Sequence, residues 1–155
     1  MPVTRQQVEQ LLNVDEPDYA AARRLGANAL PHLRQLASGG DPGLAAKAIY
    51  LATQIGGNAA ADVVSAGATH PDPVARVAAA AALEQVADVQ RADISVRLLA
   101  DLDHGVRRRT LATLPVADNP ALRRRLADLA DSLPEGQHKQ DVQQAERMAR
   151  SRALD

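Results

Sequence analysis

The six residues Asp72-Pro73-Val74-Ala75-Arg76-Val77 constrain this chain most, because their pattern recurs at a fixed spacing. Asp41-Pro42 precedes it and Asp103-His104-Gly105-Val106-Arg107 follows it, at equal intervals along the sequence. Each copy opens a run rich in Ala and Leu. An Asp at a helix N-cap accepts hydrogen bonds from amides that the helix leaves unpaired. A proline at the first helical position already has the required φ and sacrifices no hydrogen bond. Such a start signal, repeated with the same period, predicts helical hairpins of equal length. Units this short bury their apolar faces only by stacking on one another.

Composition points the same way. Alanine makes up about a fifth of the 155 residues, Phe and Trp are absent, and Tyr19 and Tyr50 are the only aromatic rings. Small side chains favour helix and allow close helix approach. No stretch alternates over the length of a strand. The fold class that follows is all-α: an α-solenoid of about four helical hairpins with terminal capping helices. Residues 1–14 read as an N-terminal capping helix, with Thr4 and Gln7 spaced for a capping box. Residues 15–134 hold the hairpins, starting near 16, 41, 72 and 103. Residues 135–155 read as a polar C-terminal helix or tail.

Within the hairpins, Gly56-Gly57 is a stop signal, and Pro115 ends or kinks the helix it meets. Val74, Val77, Ala80, Leu83 and Val86 form the expected buried stripe of the third hairpin's first helix. Its partner is predicted from about Ala92 to Leu102, burying Ile94, Leu98 and Leu102. Glu16-Pro17 reads as a weaker copy of the opening turn.

Net charge is −1, so no global field draws the chain to nucleic acid or membrane. The distribution is uneven: six Arg and one Asp lie between His104 and Arg125. The absence of Cys excludes disulfides, thiol catalysis and thiolate metal sites. The N-terminus carries no apolar signal-peptide core, and no run approaches the ~20 apolar residues that span a bilayer. The chain is expected to be cytoplasmic, with no membrane partner.

These residues resemble the HEAT-like repeat family, in particular short bacterial repeats of the phycobilin-lyase type. The shared hallmark is an Asp-Pro turn, then an apolar residue and Arg, then an Ala-rich helix. Asp72-Pro73-Val74-Ala75-Arg76 matches it well. The copy at Asp103 has His104 in place of Pro, and the copy at Asp41 has Ala45 in place of Arg, with Lys47 two residues on. The resemblance covers roughly residues 15–134. It implies docking of protein partners, with enzymes a minority use, and an Arg107 that braces the neighbouring turn's Asp.

Catalytic signals are sparse. No His-Glu-x-x-His, phosphate loop or nucleophile elbow occurs, and no cofactor or metal site is indicated. Of the four His (His32, His70, His104 and His138), His70 and His104 fall at hairpin turns of neighbouring repeats. They are expected to be solvent-facing turn residues, because stacked repeats about 10 Å apart place them too far apart to share a metal ion. On the second helices, Asp93, Arg97, Arg124 and Asp128 fall in phase to form a square of alternating charge, chiefly a surface ladder. The main functional reading is a non-enzymatic adaptor that binds a protein through a concave second-helix surface. Its candidate contacts are Arg34, Asp62, Arg97, Arg124 and Asp128. The alternative is a nucleic-acid phosphate-backbone binder using Arg108, Arg109, Arg123 and Arg124; a lyase-like accessory role is third. The sequence names neither the partner nor the oligomeric state.

Overall fold

A computed structural model describes residues 2–115 and 118–154. Among them the chain is all-α and repeat-like, with ten α-helices and no strand. The helices are α1 (Arg5–Leu12), α2 (Tyr19–Arg23), α3 (Leu30–Ala37), α4 (Pro42–Ile55), α5 (Asn58–Ala68), α6 (Pro73–Ala82), α7 (Asp88–Leu99), α8 (His104–Ala112), α9 (Pro120–Ser132) and α10 (Gln137–Ala153). They lie in two layers: α4, α6, α8 and α10 pack in succession, and so do α3, α5, α7 and α9.

The starts are set by side-chain caps. Oδ1 of Asp41, Asp72 and Asp103 accepts from the amides of Leu44, Val74 and Val106 at 3.1, 2.8 and 2.9 Å. Asn119 does the same for Leu122 at 3.0 Å. Each cap is worth about 1 kcal/mol. Thr4 and Gln7 form a reciprocal capping box on α1. In the first hairpin the cap is Asp18, which accepts from Ala21 N–H at 3.0 Å, so the helix starts just beyond Glu16-Pro17.

The α4–α5 link is tight. Gly56 (φ 82, ψ −175) and Gly57 (φ 88, ψ 174) both take backbone conformations that a side chain opposes. Pro115 lies past α8, which ends at Ala112.

Packing relies on small residues. The buried face of α6 is Ala75, Ala79, Ala80 and Ala82, continued by Leu83, while Val74 is 55% exposed. The larger Val was the wrong guide there, because neighbouring helices come close enough for methyl groups to fill the space. Gly67 on α5 lies so near α4 that a Cβ there would overlap Ile49 Cδ1. Helix α7 starts at Asp88, ahead of the expected Ala92, with that acid in its first turn, where the helix dipole favours it. It therefore ends at Leu99, and Leu102, expected inside, is 91% exposed in the turn beyond. Tyr19 and Tyr50 meet edge to face at 4.6 Å and tie α2 to α4.

Two apolar clusters result. The larger runs from Val8 to Val106, and the smaller joins Ala92, Leu99, Leu114, Leu122, Leu126 and α10. Despite its polar sequence, α10 buries Val142, Ala145 and Ala149 against α8 and α9. No helix among the described residues is long and apolar enough to cross a membrane.

Candidate functional site

The recurring motif is a joint between hairpins. Arg76 Nη1 donates to the carbonyls of His70 and Pro71 at 2.8 and 2.9 Å. Its Nε and Nη2 donate to the Asp101 carboxylate at 2.7 and 3.3 Å. Arg107 repeats the pattern, with Nη1 on the carbonyls of Asp101 and Leu102 at 2.9 Å and Nε on Asp141 at 3.1 Å. Each guanidinium thus ties the turn before its own helix to an acid of the next hairpin. The rigid donor fork of Arg suits this; a Lys ammonium does not. The acid that Arg76 holds, Asp101, lies in the same turn as the cap Asp103 and accepts from the Asp103 amide at 2.9 Å. In the copy at Asp41 the equivalent Ala45 is buried, and Lys47 donates to the Val14 carbonyl from a neighbouring position.

Three of the histidines are joints too, and His70 is so contrary to the expectation that it faces solvent. His70 is buried, and its Nε2 lies 2.5 Å from the Gly39 carbonyl. Its Nδ1 accepts from the Asp72 amide at 2.9 Å. An amide only donates, so Nδ1 carries no proton and Nε2–H donates to Gly39. His32 reaches the Val3 carbonyl at 2.8 Å, and His138 the Leu99 carbonyl at 3.0 Å. Only His104 is largely exposed, with Nδ1 3.3 Å from Asp141. Contacts between residues of different hairpins leave no local trace, so sequence reasoning missed them.

Asp141 is the most constrained acid. Burial pushes its carboxyl up, but hydrogen bonds from Gln137 and Arg107, with the charges of Arg107 and His104, outweigh that and hold it below the ordinary value. Its two oxygens accept from Arg107 and Gln137 respectively.

Two open depressions lie on the second helices α3, α5 and α7. Between α3 and α5 runs a groove of about 740 Å³. Ala27, Leu30, Pro31 and Ala59 supply apolar contact, and Arg34, Gln35, Ser38 and Asp62 supply polar groups. Asp62 also lines a second depression of about 210 Å³ between α5 and α7, with Ser65, Gln90, Asp93 and Arg97. Arg34, Asp62 and Arg97 therefore share one continuous face. The side chains of Arg34, Asp62 and Arg97 make no hydrogen bond or ion pair among the described residues; the bonded neighbours at this face are Asp93 and Arg125, which pair at 2.5 Å.

Arg124 and Asp128 line neither of these two depressions. Arg124 lines a groove between α9 and α10, and Asp128 is exposed farther along α9. The charge square does not form: the partner of Asp93 is Arg125, the neighbour of the Arg124 that the period of the turns requires. The cause is that α7 starts at Asp88 and α9 at Pro120, an interval slightly longer than that between successive Asp turns. The second helices do not keep the period of the first. The alternative phosphate set divides as well. Arg108 lines a groove between α8 and α10 with His104 and Asp141, whereas Arg123 and Arg124 lie on the α9 side of α10. Arg109 is exposed on α8.

The fold and surface define an all-α, repeat-like chain with open grooves beside its second helices and another between α8 and α10 of the first layer. No family model matches the chain, and no curated protein does.

Proposed function

We propose that this protein is a non-enzymatic, HEAT-like adaptor of the α-solenoid type, and that it binds a protein segment along the α3–α5–α7 face. The carrying observation is the pair Arg34 and Asp62, uncommitted opposite charges beside an apolar groove of about 740 Å³. Rigid stacked helices present such a surface with little reorganisation on binding. A segment that seats apolar side chains over Ala27, Pro31 and Ala59 finds a cationic and an anionic group ready to fix its register. Arg97 extends the same face by one hairpin. Of the residues proposed from sequence, Arg34, Asp62 and Arg97 belong to this surface.

A photo-crosslinking residue at Gln35 tests the reading in the native host, with Tyr50 on the first-layer helix α4 as control position. A protein partner should crosslink from position 35 and not from position 50. The double reversal Arg34→Glu with Asp62→Lys should abolish it. Equal crosslinking from both positions, or a crosslinked species that is nucleic acid, sinks the proposal.

A further inference from the structure

The groove between α9 and α10 has a different chemistry from the face just described, and its argument does not depend on that reading. Pro120, Arg123, Arg124 and Ala127 follow one another at helical spacing along α9 and form one wall. Glu146 and Arg150, one turn apart on α10, form the other. The space between them is about 370 Å³. Three guanidinium groups from two helices therefore meet one carboxylate in a concavity.

Two of the three are held in place. Arg123 donates to Asp118 through Nε at 2.8 Å and Nη2 at 3.4 Å. Arg150 pairs with Glu146. These contacts orient the planar forks and leave Nη1 of Arg123 and further N–H groups of Arg150 unused. Arg124 stands between them, exposed, and its guanidinium has no hydrogen bond or ion pair among the described residues. Asp118 offsets Arg123 and Glu146 offsets Arg150, so Arg124 is the guanidinium of this groove left without a carboxylate among the described residues. A bound anion supplies that missing charge.

The shape selects the kind of anion. A nucleic-acid strand needs a track of cations along its backbone. Here Arg108 lies in the separate groove on the other side of α10, so no track connects the arginine clusters. A single concavity with several guanidinium donors fits one terminal phosphate instead. A phosphate monoester carries about −1.5 to −2 charges at neutral pH and has three acceptor oxygens, which planar guanidinium forks engage in bidentate fashion.

We infer that the α9–α10 groove, through Arg123, Arg124 and Arg150, is a binding site for the phosphate monoester group of a small ligand. The test is an NMR titration that follows the arginine Nε–H signals with inorganic phosphate and O-phosphoserine. A short single-stranded oligonucleotide supplies the diester arm. Both monoester-type probes should shift Arg123, Arg124 and Arg150 saturably. Arg124→Gln should weaken binding about tenfold, as expected for losing one charge-assisted contact, while Arg108→Gln leaves it unchanged. Arg124 is exposed, so matching thermal melts of the variant and the parent exclude unfolding as the cause. The inference is overturned by an absence of saturable shifts, by an Arg124→Gln titration equal to the parent's, or by tighter oligonucleotide binding that Arg108→Gln weakens equally.

Discussion

The two halves of the molecule are built on the same turn and held together by different forces. From α3 to α6 the helices approach through Ala and Gly, and the main buried polar group is His70. From α7 to α10 the buried set adds Ser95, Arg107, Thr110, Thr113 and Asp141. There, Arg91 holds the Thr113 and Leu114 carbonyls at the end of α8, and Thr113 Oγ1 donates to the Ala80 carbonyl at 3.0 Å. The first half relies more on fit, with His32, Lys47 and His70 as its directional joints, and the second buries more of its directional bonds. A repeat motif therefore specifies where helices start, and leaves open what closes the space between them.

Breaking the second half should cost most. The Arg107 and Asp141 side chains are 5% and 7% exposed, so Arg107→Ala strands a buried carboxylate. Denaturant unfolding should show a loss of about 3–5 kcal/mol. The double change Arg107→Met with Asp141→Leu should recover much of it, because no charge is then left unpaired. A loss below about 1 kcal/mol for the single variant, the range of an exposed pair, would show that directional bonds do not hold this half.

In the first half the vulnerable property is closeness. Gly67→Ala places a methyl group against Ile49 and should cost about 1–3 kcal/mol, the usual penalty of overpacking. Adding Ile49→Val removes the atom nearest the clash, and chemical denaturation should show partial recovery. Without recovery, the close approach of α4 and α5 is not what limits this position.

The smallest expected effect is on pH dependence, and it should belong to the second half alone. The Asp141 carboxyl lies below its ordinary value of 3.8 in the folded chain. The stability it contributes is present above that ordinary value and is lost as pH falls through the lower folded one. Stability measured from mildly acidic pH downward should therefore fall less steeply in Asp141→Asn than in the parent, whatever their difference at neutral pH. Equal slopes would assign the acid sensitivity to other carboxylates.

What the sequence revealed follows the same division. Caps and stops are local, so Asp41, Asp72, Asp103, Asn119 and Gly56 marked helix ends correctly, whereas α8 stops at Ala112 before it meets Pro115. Val74 misled because burial depends on how near the neighbouring helix comes, and the Ala positions set that distance; Leu102 misled because α7 ends before it, at Leu99. The joints made by Arg76 and Arg107 reach acids 25 and 34 residues away, off the period of the turns, whereas His70 reaches Gly39 one period back. The candidate surface was partly legible: Arg34, Asp62 and Arg97 share a face, but projecting the turn period onto the second helices placed Arg124 where Arg125 stands. The α9–α10 groove was visible only as a run of arginines until α10 supplied its other wall.

The Gly56-Gly57 link carries a lesson about inheritance. A Cβ at either position would meet no other atom within 4 Å, yet both residues sit at positive φ. Any single amino-acid replacement there imposes backbone strain while every neighbouring contact stays intact. Tolerance to mutation in this chain is thus not a map of burial: one of its most open links is among those least free to drift.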